Sequence, residues 1–227
     1  MKGAVEQVEN SISNKRNFIH SLVSKKSFWL IFCTLAFVFP LYRAVNRNLP
    51  EPLPKYYKAP SFSMTTEDGF NLKESDMRGK VYLASFFFSN CPTTCPKNLK
   101  QIQKIQKRVK GLGDRVALLS FSVDPENDTP KELFKVARKW KANPYVWKFL
   151  TGNLEHIKSV LVNGYKVPIG DKKFSKSIYD IAHSEKLVLV DQNGYIRGYY
   201  KMEKNDINRL MIDLGLLANN AFTSKES

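Results

Sequence analysis

The run Val81 to Phe88, VYLASFFF, passing directly into SNCPTTCPK, constrains the fold more than any other stretch of the chain. Eight uncharged residues rich in aromatic rings suit a strand buried on both faces, and such a strand needs helices on each side of its sheet. Pro96 then fits the first turn of a helix. Leu99, Ile102, Ile105 and Val109 keep one face of that helix apolar as far as Gly111, and Lys97, Lys100, Lys104 and Lys107 lie elsewhere on its surface. Two cysteines, Cys91 and Cys95, thus stand where a buried strand gives way to a helix.

The remaining periodicities extend the same architecture. Phe62 to Leu72 holds two short runs around Asp68-Gly69, a pair that favours a tight hairpin turn. Val116 to Val123 reads as a second buried strand, and Thr129-Pro130-Lys131-Glu132 reads as a capping box opening a helix that runs to about Trp140. A short strand is expected over Val146 to Leu150, and Asn153 caps a helix ending near Gly164. Lys186 to Val190 is a further strand, turned by Asn193-Gly194 into Tyr195 to Lys201, and a last helix covers Asp206 to Leu217. Strands alternating with helices, then a hairpin and a closing helix, predict an α/β domain in the thioredoxin-like order, a mixed sheet flanked by helices over 61–219 with a tail at 220–227.

Ahead of this domain, Phe28 to Val45 is apolar apart from Thr34 and Arg43, with Lys25 and Lys26 before it and Arg47 after. It is a candidate transmembrane helix, assigned to 27–45, slightly short of the roughly 20 residues of a straight span unless Arg43 snorkels. A cleaved signal wants a short positive leader and small residues at a cleavage site, whereas this leader runs 26 residues with no A-x-A pattern after the apolar run. An uncleaved anchor is expected. A lipid-modified Cys33 is disfavoured because Phe32 precedes it. Lys15, Arg16, Lys25 and Lys26 favour a cytoplasmic amino-terminal segment over 1–26, although Arg43, Arg47, Lys55 and Lys58 nearly balance them. The proline-rich Leu49 to Pro60, LPEPLPKYYKAP, reads as an extended stalk, with 46–60 linking anchor to domain.

The net charge of +15 is compatible with a solvated surface, an acidic partner or anionic lipid. Nucleic acid is not expected, because the basic residues run from Lys2 to Lys225 without clustering beside stacking aromatics.

Chemistry concentrates at Cys91 and Cys95. Orphan N–H groups and the dipole at a helix start favour negative charge there, which prepares sulfurs for disulfide exchange or for metal ligation. Inert buried cysteines would not require prolines at 92 and 96. A closed zinc site wants four ligands, and beyond the two cysteines the domain offers only His156 and His183, whereas two thiolates and one imidazole suit monovalent copper. His156 falls early on a predicted helix, where a solvated histidine is expected. His183 ends the irregular stretch 164–182 just before a strand, and is either a third ligand or a loop histidine with local hydrogen bonds. Asp124 closes the strand VALLSFSVD, as a carboxylate supporting the cysteines or as a turn aspartate.

Three segments together, FFFSNCPTTCPK, SVDPENDTP and AHSEKLVLVDQNGYIRGYY, make the chain resemble the Sco/SenC proteins, copper chaperones for cytochrome c oxidase. The resemblance covers about Pro60 to Leu217 and the anchor before it. It implies a thioredoxin-like fold, copper carried by Cys91, Cys95 and His183, and Asp124 near the metal. It implies delivery to the dinuclear copper site of oxidase subunit II, with reduction of the receiving cysteines as a further role. It places the chain as a single-pass protein of the bacterial inner membrane, its functional domain on the periplasmic side. Thr93 departs from the family's commonest CPxxCP pattern, which has an aspartate there. No small-molecule turnover is required of a chaperone. The alternative is an enzyme, a thiol-disulfide oxidoreductase using Cys91 and Cys95 as a redox-active disulfide.

Overall fold

The computed structural model describes residues 24–45, 53–91, 94–167 and 185–223. The chain divides into two compact units, Met1–Pro52 and Leu53–Ser227.

In the first unit, helix α1 (Lys26–Cys33) passes through a π-turn, Thr34–Val38, into α2 (Phe39–Val45). Pro40 offers no N–H to the turn before it, and a widened turn accommodates that loss. The Thr34 hydroxyl is satisfied by donating to the Leu30 carbonyl at 2.8 Å. Lys26–Arg43 is long and apolar enough to cross a membrane, and none of it is buried within the structure. Leu30, Ile31, Phe37 and Leu41 are all exposed.

The second unit is built on one seven-stranded sheet in the order β2-β1-β5-β4-β3-β6-β7. Its strands are β1 (Ser63–Thr66), β2 (Asn71–Lys73), β3 (Val81–Phe87), β4 (Val116–Ser122), β5 (Trp147–Thr151), β6 (Lys186–Val190) and β7 (Ile196–Lys201). β3, β4 and β5 run parallel, and the outer pairings are antiparallel. Every residue of β3 and β4 is buried, as two helix-covered faces require.

The pleat divides the core in two. Leu83 and Phe87 point toward α3 (Thr94–Val109), α4 (Pro130–Lys139) and α6 (Lys204–Thr223), sharing a cluster with Leu99, Ile102, Leu133 and Leu210. Tyr82, Ala84 and Phe86 point the other way, into a cluster with Phe62, Phe121, Ile157 and Tyr165. On that side lie α5 (Leu154–Lys158) and the π-turn Ser159–Gly164 that continues it. The mixed sheet flanked by helices agrees with the expected architecture, and the strand ends agree to within a residue.

Local chemistry explains several ends. The Asn153 side chain accepts from the amides of Glu155 and His156, the expected cap. Thr129 accepts from the Glu132 amide, but the Glu132 carboxylate pairs with Lys135 at 2.7 Å instead of reaching back, so only half of the capping box forms. Gly194 supplies the positive φ of +79° that the β6–β7 turn demands.

Residues 53–59, the second half of the proline-rich stretch, lie along the start of β7. Tyr56 donates to the Ile196 carbonyl, Ile196 to that of Tyr57, and Ala59 to that of Gly194, at 2.8 to 3.0 Å. The Arg197 guanidinium reaches the carbonyls of Leu53 and Pro54 while pairing with buried Asp191 at 2.7 Å. Extended backbone without its own secondary structure thus becomes a strap on the sheet edge.

Candidate functional site

Cys91 and Cys95 sit at the carboxyl end of β3. Both are in the thiol form, with exposures of 4% and 1%, and both belong to the cluster formed by Phe87, Leu99 and Leu133. A turn directs the chain toward α3, because the Cys91 amide donates to the Phe88 carbonyl at 3.3 Å. Cys95 is the second residue of α3, and its amide is among those without a partner inside the helix. That amide donates to Cys91 Sγ at 3.4 Å. The sulfur thus occupies the place of a capping oxygen and receives the positive end of the helix dipole, which favours negative charge on it.

Two soft sulfurs linked through the Cys95 amide at the start of one helix, and walled by apolar side chains, fit a soft monovalent ion. They equally fit dithiol–disulfide exchange. No cluster of three His, Cys, Asp or Glu side chains suited to a metal occurs among the described residues. His183, the proposed third ligand, lies outside the described residues. His156 is only half-exposed, and its Nε2 accepts from the Ser63 amide of β1 at 3.4 Å.

The SCO1/SenC family model matches residues 51–214, which takes in the whole sheet and the cysteine pair. The chain belongs to the SCO1/SenC family. It is 35% identical over 147 residues to the SCO1 protein homolog of Bacillus subtilis, covering 62% of this chain and 76% of that one. A SCO1/SenC family lipoprotein of Bacillus anthracis superposes with a TM-score of 0.61 at 30% identity, over 75% of this chain and 99% of the other. BsSco, described as having a disulfide switch and as a member of the Sco family of cytochrome c oxidase assembly proteins, superposes with a TM-score of 0.61 at 27% identity, over 74% and 96%. These neighbours fix the fold as thioredoxin-like.

In this SCO1/SenC domain β3 and β4 lie side by side with Phe87 opposite Ser122, so Cys91 and Asp124 leave the sheet at the same end. Asp124 is half-buried, and its carboxylate accepts from Asn127 Nδ2 at 2.8 Å while its carbonyl accepts from the amides of Asn127 and Asp128. Those are the bonds of a turn aspartate.

Asp128, which sequence reasoning passed over, has the more consequential contacts in this SCO1/SenC chain. It is fully buried, at 0% exposure. Both its oxygens accept from the Ser89 amide, at 3.2 and 3.1 Å, and the buried Ser122 hydroxyl donates to it as well. Burial pushes its carboxyl above the usual range, against the opposing pull of the Ser122 and Ser89 hydrogen bonds. The only signal in the sequence was an acidic residue directly before the Thr129 cap, where a solvated charge is the ordinary reading.

Asn98 follows Cys95 by three residues on the same face of α3. It is 3% exposed, and its Nδ2 has no hydrogen-bond partner among the described residues.

Proposed function

We propose that this chain is a membrane-anchored copper carrier, in which Cys91 and Cys95 hold the ion as thiolates, His183 completes the site and ligand exchange passes it to a partner. The partner is the copper-receiving subunit of cytochrome c oxidase, at its dinuclear site. The single observation that carries this reading is the pair of buried sulfurs at the start of α3, one of them already accepting a backbone N–H. Family membership supports it, as does the description of a Stutzerimonas stutzeri relative, 23% identical over 150 residues, as a putative copper-binding protein. Lys26–Arg43 serves as the anchor, in a single pass of the bacterial cytoplasmic membrane, with the copper-carrying domain on the outer side. Asp124 supports the site from the neighbouring turn.

A second reading is favoured by the disulfide switch ascribed to BsSco. One cysteine thiolate attacks a partner disulfide and releases one partner thiolate. The other cysteine then attacks the mixed disulfide and releases the second, so that the pair is oxidised, the partner is reduced, and the two thiol protons end on the partner's sulfurs.

Titration of the full chain with monovalent copper separates the readings. Cys91→Ser and Cys95→Ser are each expected to abolish tight binding, and His183→Ala to weaken it by about tenfold or more while dithiol exchange continues. Copper affinity that is unchanged in His183→Ala defeats the site as drawn.

A further inference from the structure

We propose that Asp128 is a positioning residue that holds the Cys91 loop in register with the start of α3. This inference rests on the reading of Cys91 and Cys95 as the exchanging pair.

The carboxylate is clamped from both sides. Behind it, Ser122 ends β4 and donates to it, its own amide donates to the Asp124 carbonyl at 2.8 Å, and Thr129, the next residue, caps α4. In front, it receives the Ser89 amide on both oxygens. Ser89 is two residues before Cys91, and the segment between β3 and α3 spans only Phe88 to Thr93. The adjoining bond from the Val123 amide to the Phe87 carbonyl, at 2.9 Å, stitches the strand ends together but stops short of the loop. Asp128 carries the connection one step further.

A residue without a side-chain acceptor at 128 would leave the Ser89 amide to water, since Ser89 itself is exposed. A fully buried carboxylate bridging the end of β4 and the loop after β3 is a costly way to satisfy one exposed amide. The geometry gives it a further consequence: with Ser89 fixed, Cys91 Sγ is held beneath the Cys95 amide. Release of Ser89 lets the loop sample positions in which Cys91 Sγ no longer lies against the Cys95 amide. Both copper binding and disulfide closure depend on that approach, because each draws on the effective concentration of one cysteine beside the other.

The test uses the full chain in detergent, with three variants: Asp128→Ala, Asp128→Asn and Ser122→Ala. Three quantities are measured, namely affinity for monovalent copper by chelator competition, the Cys91–Cys95 equilibrium with a dithiol buffer, and the thermal midpoint. Asp128→Ala is expected to weaken copper binding about tenfold and to shift the dithiol equilibrium about threefold or more. Asp128→Asn keeps an oxygen for the Ser89 amide and offers an N–H to the Ser122 hydroxyl, so it recovers most of both losses. Values within about twofold of wild type in Asp128→Ala, even with a lowered midpoint, overturn the proposal and leave Asp128 a purely structural group. If Asp128→Ala does not fold, Ser122→Ala decides: a shift of both equilibria beyond about twofold supports the proposal, and no shift overturns it. A wild-type chain that takes up no copper overturns the reading of the site, and the dithiol equilibrium alone then decides the role of Asp128.

Discussion

Ser120 shows how much of this domain hangs on single buried polar atoms. Its hydroxyl lies 2.8 Å from that of Ser85 on β3 and accepts from Trp147 Nε1 on β5 at 2.8 Å, linking three strands in a region with no access to water. Ser120→Ala strands the indole N–H, and is expected to destabilise the fold by about 1–3 kcal/mol in chemical denaturation. An unchanged midpoint would mean that the indole finds another acceptor. Cys91 and Cys95 could be read from the sequence because their meaning depends on local context, a buried strand, two prolines and a helix start, all within sixteen residues. Asp128 could not. Its partners are a hydroxyl six residues back and an amide 39 residues away, and nothing in a linear pattern reports that β3 and β4 end side by side.

Among the elements, the β1–β2 hairpin carries a buried carboxyl, that of Glu67. Glu67 is buried behind it, accepting from the Phe149 amide at 2.8 Å, with Lys148 bonded to Asp68 at 2.8 Å in front. Burial raises the Glu67 carboxyl, outweighing its hydrogen bond to Phe149. A carboxyl raised on folding contributes stability that is fully present below its unfolded pKa and is lost as pH rises through the higher folded value. The melting temperature of wild type, less that of Glu67→Gln, is therefore expected to fall between acid and neutral pH. A difference that rises over that range would contradict the assignment. The hairpin itself was legible from Asp68-Gly69, and the strands from their length and apolar runs. The halved capping box and the π-turn before Pro40 were not, since each depends on a choice among competing partners, Lys135 for Glu132 and a widened turn for the missing N–H.

At the scale of the whole molecule, the sheet leaves two edges. One ends in β2, only three residues long, which offers little to an incoming strand. The other is β7, of six residues, whose start is occupied by the strap of residues 53–59. The proline-rich composition that suggests a mere spacer hides this, because proline content reports stiffness and says nothing of what an extended segment lies against. A soluble form of the domain that starts at Pro60 is expected to self-associate in light scattering, whereas one that starts at Leu53 stays monomeric; equal behaviour of the two would show the strap to be dispensable. The same residues that lead into the domain thus occupy backbone groups at the start of β7 that an incoming strand would otherwise use. Proteolytic nicking within them would leave the cysteines untouched, yet uncover an edge with which a second copy of the chain could pair.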